Sequence, residues 1–274
     1  MTLVVIGPVT RDLVIIGEDR CSKTGGATYF QSFVFEEFYD DYLAIVNCSS
    51  KDFVQDFPSS DKVRLILKDD THYFINEYPD KDDLDIRKQL SNFAKIPILR
   101  SDLEDILSGL NIDGFVLNPL NRYDFPLETI EYIKSFNVPV FMSVQGFLRV
   151  PESEINENYT IQFEYFDDLD TILSGVTSIF LDEYEARTIG NGFDVYEMVI
   201  TNGSSGSRIV FDDEIKIEAV ECDSVVDTTG CGDTFMAAYI SQRLKGQSPK
   251  EAGNFASLIA SQKIRGFGPY NSEK

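Results

Sequence analysis

Basic residues are scarce: 24 lysines and arginines stand against 46 aspartates and glutamates, giving a formal net charge of −22 over 274 residues. Nucleic acids and anionic bilayers are bound through basic patches, so this deficit speaks against both as partners. No run approaches the roughly 18 apolar residues of a membrane span, and Met1–Gly7 lacks the basic region and long apolar core of a signal peptide. There is one histidine, His72, and Cys21, Cys48, Cys222 and Cys231 show no Cys-x-x-Cys spacing. A zinc site is therefore not expected, and the thiols read as reduced in a cytoplasmic protein. No segment has the form of a Walker A loop, which sets aside a P-loop kinase. Internal repeats and low-complexity tracts are also missing.

What remains is a globular chain, 43% hydrophobic with 21 phenylalanines and 13 tyrosines. Its length suffices for one α/β domain with a full core. The acidity sets a condition on any phosphate-bearing ligand, because backbone amides, a helix terminus, a divalent cation and a few basic side chains must overcome the field.

One stretch meets that condition. Asp227-Thr-Thr-Gly230-Cys231-Gly232-Asp233-Thr-Phe235 opens a segment whose apolar residues Phe235, Ala238 and Tyr239 fall at helical spacing. Bare amides at a helix start, together with the positive end of its dipole, favour an anion. Asp233 stands beside them, where a carboxylate can take a proton from an attacking hydroxyl. Taken alone, Gly-x-Gly-Asp is equally a turn followed by a capped helix.

The rest of the chain alternates short apolar runs with helical periods, the pattern of a doubly wound parallel sheet. Leu3–Ile6 reads as a buried first strand, Gly114–Leu117 and Val138–Ser143 as later ones, and Leu127–Phe136 and Lys250–Lys263 as helices. Such sheets place ligands at their carboxyl edge, where Asn118-Pro-Leu120 falls. Val63–Lys68 and Thr71–Asn76 read as a β-hairpin turning at Asp69-Asp70. Asp80–Asp85 reads as a solvated acidic loop. Asp182 with Glu185 has the spacing of a capping box. Gly203-Ser-Ser-Gly206 reads as a loop or hairpin turn between strands.

The Asp227–Phe235 string resembles the C-terminal signature of the ribokinase-like, or PfkB, family of carbohydrate kinases. Further resemblances follow in the family's order over nearly the whole chain: Asp12, Gly25-Gly26, Asp182-x-x-Glu185 and Thr201-x-Gly203. Gln145-Gly-Phe-Leu-Arg149 and Tyr29-Phe30 resemble the myo-inositol-kinase-like subgroup. The resemblance implies a single ribokinase-like domain over residues 1–274, an α/β fold with a small β lid built near 11–24 and 63–78. It implies that ATP, with Mg²⁺, phosphorylates a hydroxyl of a small sugar or cyclitol. By the same resemblance Asp233 is the base, and Gly230, Cys231 and Gly232 form the anion hole. Asp12, Gly25, Gly26, Gln145 and Arg149 bind the polyol; Thr201, Gly203, Gly206 and Ser257 lie along the nucleotide; Glu185 and Asp182 organise the metal. Cys231 stands where alanine is usual, Asp182 where asparagine is usual, and Ser257 where asparagine often meets the adenine. Dimers through lid strands are common in the family, so a homodimer is an expectation. A nucleoside kinase of the same fold and a non-catalytic sugar or nucleotide sensor are the alternatives.

Overall fold

Leu3 and Val5 pack to one side of the first strand, Val4 and Ile6 to the other, and all four are fully buried. A strand apolar on both faces belongs in the middle of a covered parallel sheet. The computed structural model describes residues 1–78, 88–190 and 192–272; the acidic stretch 80–85 lies outside them. Its strands are β1 (Thr2–Ile6), β2 (Thr10–Ile16), β3 (Asp19–Gly25), β4 (Tyr42–Cys48), β5 (Val63–Leu67), β6 (Phe74–Tyr78), β7 (Lys88–Ser91) and β8 (Ile112–Leu117). They continue as β9 (Val140–Ser143), β10 (Arg149–Ile155), β11 (Asn158–Phe163), β12 (Ser178–Asp182), β13 (Glu197–Thr201), β14 (Ser207–Val210) and β15 (Glu214–Ile217). The helices are α1 (Ala27–Phe38), α2 (Arg100–Leu107), α3 (Leu127–Lys134), α4 (Gln145–Leu148), α5 (Leu169–Leu173), α6 (Glu183–Ile189), α7 (Cys231–Leu244) and α8 (Pro249–Lys263).

Among the described residues the main sheet has nine strands in the order β15, β14, β13, β12, β9, β8, β1, β4, β5. All neighbours are parallel except the β13–β14–β15 meander at one edge. One face is covered by residues of α1, α7 and α8, the other by residues of α2, α3, α5 and α6. This is a doubly wound α/β architecture with an antiparallel meander at one edge. Helix α7 lies deepest, with Thr234 through Ser241 all buried. Tyr239 donates its hydroxyl to Glu197, whose other oxygen takes Arg243 Nη2 at 2.7 Å, so the buried carboxylate is paired.

A second sheet of six strands runs β10, β11, β7, β6, β2, β3. It departs from the hairpin expected at 63–76. β5 pairs parallel with β4 at the edge of the main sheet, whereas β6 pairs with β2 and β7 in the second. The chain crosses between sheets at Asp69–Tyr73, where His72 bridges to Thr10 and is buried with Nε2 2.9 Å from Asp124 Oδ1. A turn of two aspartates is compatible with a hairpin, but burial of His72 fixes the crossing instead. β7, β10 and β11 join this sheet from segments that local pattern did not connect to it.

Candidate active site

Parallel pairing brings the carboxyl ends of β1, β8, β9, β12 and β13 to one edge. Ile6 lies beside Leu117, Leu117 beside Met142, Phe180 beside Ser143, and Asp182 beside Thr201. Residues far apart in sequence thus leave the sheet together. The second sheet stands at this edge, because β2 follows β1 after three residues and β10 follows β9 after α4.

Gly230 is the N-cap of α7, with φ 76° and ψ 8°, a left-handed conformation that favours glycine. The Cys231 amide donates to Thr228 O at 3.1 Å and the Thr234 amide to Gly230 O at 2.9 Å. Between them, the amides of Gly232 and Asp233 have no protein partner among the described residues. A Cβ on Gly232 would meet nothing within 4 Å, so the space before it is open. The open donors are therefore one residue further along than the Gly230–Gly232 reading, since the Cys231 amide closes a turn. Asp233 keeps partial exposure as a residue, but its carboxyl is enclosed: burial pushes its pKa up to about 6, against the pull of Arg149 and Lys263.

Asp12 lies within β2. It is buried, its Oδ1 accepts the Phe74 amide at 3.2 Å, and burial raises its pKa while Thr10, Phe74, Lys23 and Arg149 oppose the rise. A Cβ on Gly25 would fall 2.6 Å from both Asp12 Oδ2 and Thr10 Oγ1, so the bare residue makes room for the carboxylate. Gly26 caps α1 at φ 96°, where a Cβ would meet Pro8 O at 2.6 Å.

Arg149 begins β10, is buried, and holds its guanidinium 5.1 Å from the Phe74 ring centroid. Its charge bears on Asp12, Glu185 and Asp233 alike, which places it among three carboxyls brought from the second sheet, from α6 and from α7. Gln145 opens α4 and interacts with Glu185.

Asp182 and Glu185 form a reciprocal capping box on α6: Asp182 Oδ1 accepts the Glu185 amide and Glu185 Oε2 accepts the Asp182 amide, both at 2.8 Å. The second oxygen, Glu185 Oε1, is buried without a hydrogen-bond partner. Burial, then the charge of Asp182, pushes the Glu185 pKa up to about 7. Among the described residues no three acidic, cysteine or histidine side chains gather as a metal cage. A single orphaned carboxylate oxygen fits Mg²⁺ nonetheless, because this ion keeps most of its waters and is held largely by phosphate oxygens.

Thr201 ends β13, and Gly203 and Gly206 bound a 3₁₀ turn leading into β14. A Cβ on Gly206 would fall 2.2 Å from Ile217 O. Beside this turn lies a pocket of about 210 Å³, lined by residues that include Asn202, Ser205, Arg208 and Glu218. Ser257 is on the buried side of α8 and donates Oγ to Glu218 O at 2.9 Å, so its hydroxyl braces the pocket wall.

Two residues near the site lay outside the motifs. Lys263 is buried on α8 and donates to Asp227 O at 2.6 Å. Lys23, on β3, has its Nζ 3.7 Å from Asp227 Oδ2. For Lys263 a signal existed: it continues the buried stripe of Ala256, Ile259 and Ala260, a place where an ammonium needs a partner. Asn118 also turns inward, exchanging hydrogen bonds with Gln31 at 3.0 and 2.7 Å.

Residues 161–274 match the model of the pfkB family carbohydrate kinase. A nucleoside kinase of Methanothermobacter thermautotrophicus is 37% identical over 101 residues, covering 37% of this chain and 30% of that protein. A ribokinase of Arabidopsis thaliana is 28% identical over 137 residues, covering 49% and 36%. The matches thus span about a third of the length of these curated relatives. In three dimensions the likeness covers the whole chain. A pyrophosphate-dependent kinase of the ribokinase family, solved with a pyrophosphate analogue and myo-inositol, superposes with a TM-score of 0.83 at 22% identity, over 99% of this chain and 98% of that one. Arabidopsis thaliana ribokinase with ribose and ATP gives 0.70 at 19% identity, over 97% and 93%. The described residues contain no helix long and apolar enough to cross a membrane. The chain has the ribokinase-like fold over 97–99% of its length, and its residues 161–274 match the pfkB family carbohydrate kinase model.

Proposed function

We propose that the chain is a phosphotransferase that moves the terminal phosphoryl group of ATP onto a hydroxyl of a small sugar or cyclitol. The observation that carries this reading is the pair of unbonded amides, Gly232 and Asp233, at the start of α7 beside a carboxyl whose pKa lies near 6. The acceptor hydroxyl is held by Asp12, Gln145 and Arg149. Its proton passes to Asp233 as its oxygen bonds to phosphorus and the bond to the leaving phosphate oxygen breaks. The amides hold the charge that develops on the phosphoryl oxygens, an arrangement worth about 3 kcal/mol per donor in comparable sites. Glu185 Oε1 would help hold Mg²⁺, which would supply charge neutralisation to the donor's phosphates. The nucleotide would extend past Thr201, Gly203 and Gly206 toward Ser257. The same reading includes a homodimer through the second sheet and a cytoplasmic protein, which sedimentation and fractionation test.

A second donor, pyrophosphate, is favoured by one observation. Ser257, the residue expected to meet the adenine, has its Oγ engaged by Glu218 O at 2.9 Å, so that proton is not free for a base. Transfer measured from ATP and from pyrophosphate, across cyclitols, hexoses, pentoses and nucleosides, tests the reading. Turnover on a nucleoside alone replaces the polyol by a nucleoside acceptor, and binding without turnover on any of them leaves a sensor.

A further inference from the structure

Asp227 gathers segments from three parts of the fold. Its Oδ1 accepts the Thr229 amide at 2.9 Å, its Oδ2 accepts the Gly268 amide at 3.2 Å, and its carbonyl oxygen takes Lys263 Nζ at 2.6 Å. Lys263 Nζ is also 3.7 Å from Oδ2. The carboxylate is therefore satisfied by two amides, and a buried ammonium is held on the same residue's carbonyl, before any other group is counted. Lys23 comes in addition, at 3.7 Å from the same oxygen, too long for a hydrogen bond. Its side chain keeps 27% exposure against 9% for Asp227. The contact holds little energy for a partly exposed lysine.

The position of Lys23 is more specific than that contact. In the β2–β3 pair it lies directly opposite Asp12, so the two side chains share one face of the second sheet. Lys23 thus stands between the buried carboxylate proposed to hold the acceptor and the first residue of the loop that leads into the open amides of α7. In a chain of charge −22, Lys23 sets a cation between the two halves of such a site. It answers the condition that a polyanion sets here.

We propose that Lys23 is a phosphoryl-binding residue: its ammonium exchanges the loose contact with Asp227 for the oxygens of the phosphoryl group passing from donor to acceptor. Lys23 forms no covalent bond and transfers no proton; it adds charge to the hole made by the Gly232 and Asp233 amides. Because β3 belongs to the second sheet, the same contact couples that sheet to the presence of the donor. The inference rests on the phosphotransferase reading.

The test uses the full chain, its Lys23→Met and Lys23→Arg variants, and pyrophosphate and ATP with Mg²⁺ as calorimetric probes, together with turnover and melting temperature. Lys23→Met is expected to weaken binding of the probe the wild type takes by about tenfold and to lower kcat by about 10²-fold, the scale of losing one charge-stabilising donor. Lys23→Arg should restore most of both, and the acceptor KM and melting temperature should stay near wild type. Probe affinity and kcat within twofold of wild type in Lys23→Met overturn the proposal, as does a fall in melting temperature alone, which would make Lys23 a strut on Asp227. Lys23-dependent binding without turnover on any acceptor upholds the proposal and refutes the kinase reading. Turnover indifferent to Lys23 does the reverse.

Discussion

A Cβ on Gly230 would fall 2.4 Å from Cδ1 of Phe30, so the cap of the late helix α7 is fitted against an aromatic ring of the first helix. Phe30 itself is 3% exposed and packs edge-on against Tyr29 at 5.4 Å. The aromatic start of α1 and the glycine that caps α7 therefore shape one another.

Gly230→Ala should be costly on two counts. The left-handed backbone alone costs roughly 1–3 kcal/mol, and the ring must shift or the loop must move. Denaturant unfolding should show a loss of at least that size, and turnover should fall with it because the amides of Gly232 and Asp233 are displaced. Stability within experimental error of wild type would mean that the fit against Phe30 is slack.

Asp233→Asn should retain donor binding while turnover falls about 10²- to 10⁴-fold, the contribution of a positioned base. The same variant should be more stable. A carboxyl raised from 3.8 to about 6 on folding binds its proton more tightly in the native state, so stability is lost as pH rises from the unfolded value through the folded one. Above pH about 6 the wild type carries the full deficit, up to about 3 kcal/mol, which asparagine removes. Melting curves at pH 5 and pH 8 check the sign: the advantage of the variant should be larger at pH 8.

The pH profile of kcat/KM should fall on the acid side with an apparent pKa near that of the Asp233 carboxyl, about 6, because the protonated acid cannot take up the hydroxyl proton. A limb near 4 in initial-rate measurements would show that the free enzyme does not enclose this carboxyl.

Glu185→Gln should separate capping from metal binding. The amide oxygen can still accept the Asp182 N–H that Glu185 Oε2 takes at 2.8 Å, so melting temperature should hold or rise. The Mg²⁺ concentration for half-maximal rate should increase at least about tenfold, as expected when a carboxylate anchor is lost. An unchanged Mg²⁺ requirement would leave the orphaned oxygen without that role.

Gly25→Ala should act on the acceptor alone. The added methyl meets Asp12 Oδ2 and Thr10 Oγ1 at 2.6 Å, which displaces the carboxylate proposed to bind hydroxyls. Acceptor KM should rise by roughly the 10-fold or more that corresponds to 1.4 kcal/mol, while donor affinity measured by calorimetry stays constant.

The order of motifs along the chain marked most of the candidate site. Asp233 with its glycines, Asp182 with Glu185, and Gly25-Gly26 each mark a backbone feature that side-chain type alone dictates: a helix start, a reciprocal cap, a glycine-only approach. Periodicity likewise fixed α3 and α8 to within a few residues, since a helix with a buried face announces its spacing. Pattern failed at 63–76, where two strand-like runs flank Asp69-Asp70. Local turn chemistry permits a hairpin, and only the parallel partners β4 and β2 assign the runs to different sheets.

Composition and residue order, then, determined that this acidic chain builds a doubly wound sheet with an anion-favouring helix start late in its length, because those depend on local spacing. Which amides remain open, the orphaned oxygen of Glu185, the gathering of Asp12, Glu185 and Asp233 around Arg149, and the approach of Lys23 to Asp227 were decided by tertiary structure. The physical reason for the last two is distance: they join residues separated by tens to hundreds of positions, and only packing brings them within reach of one another's charge.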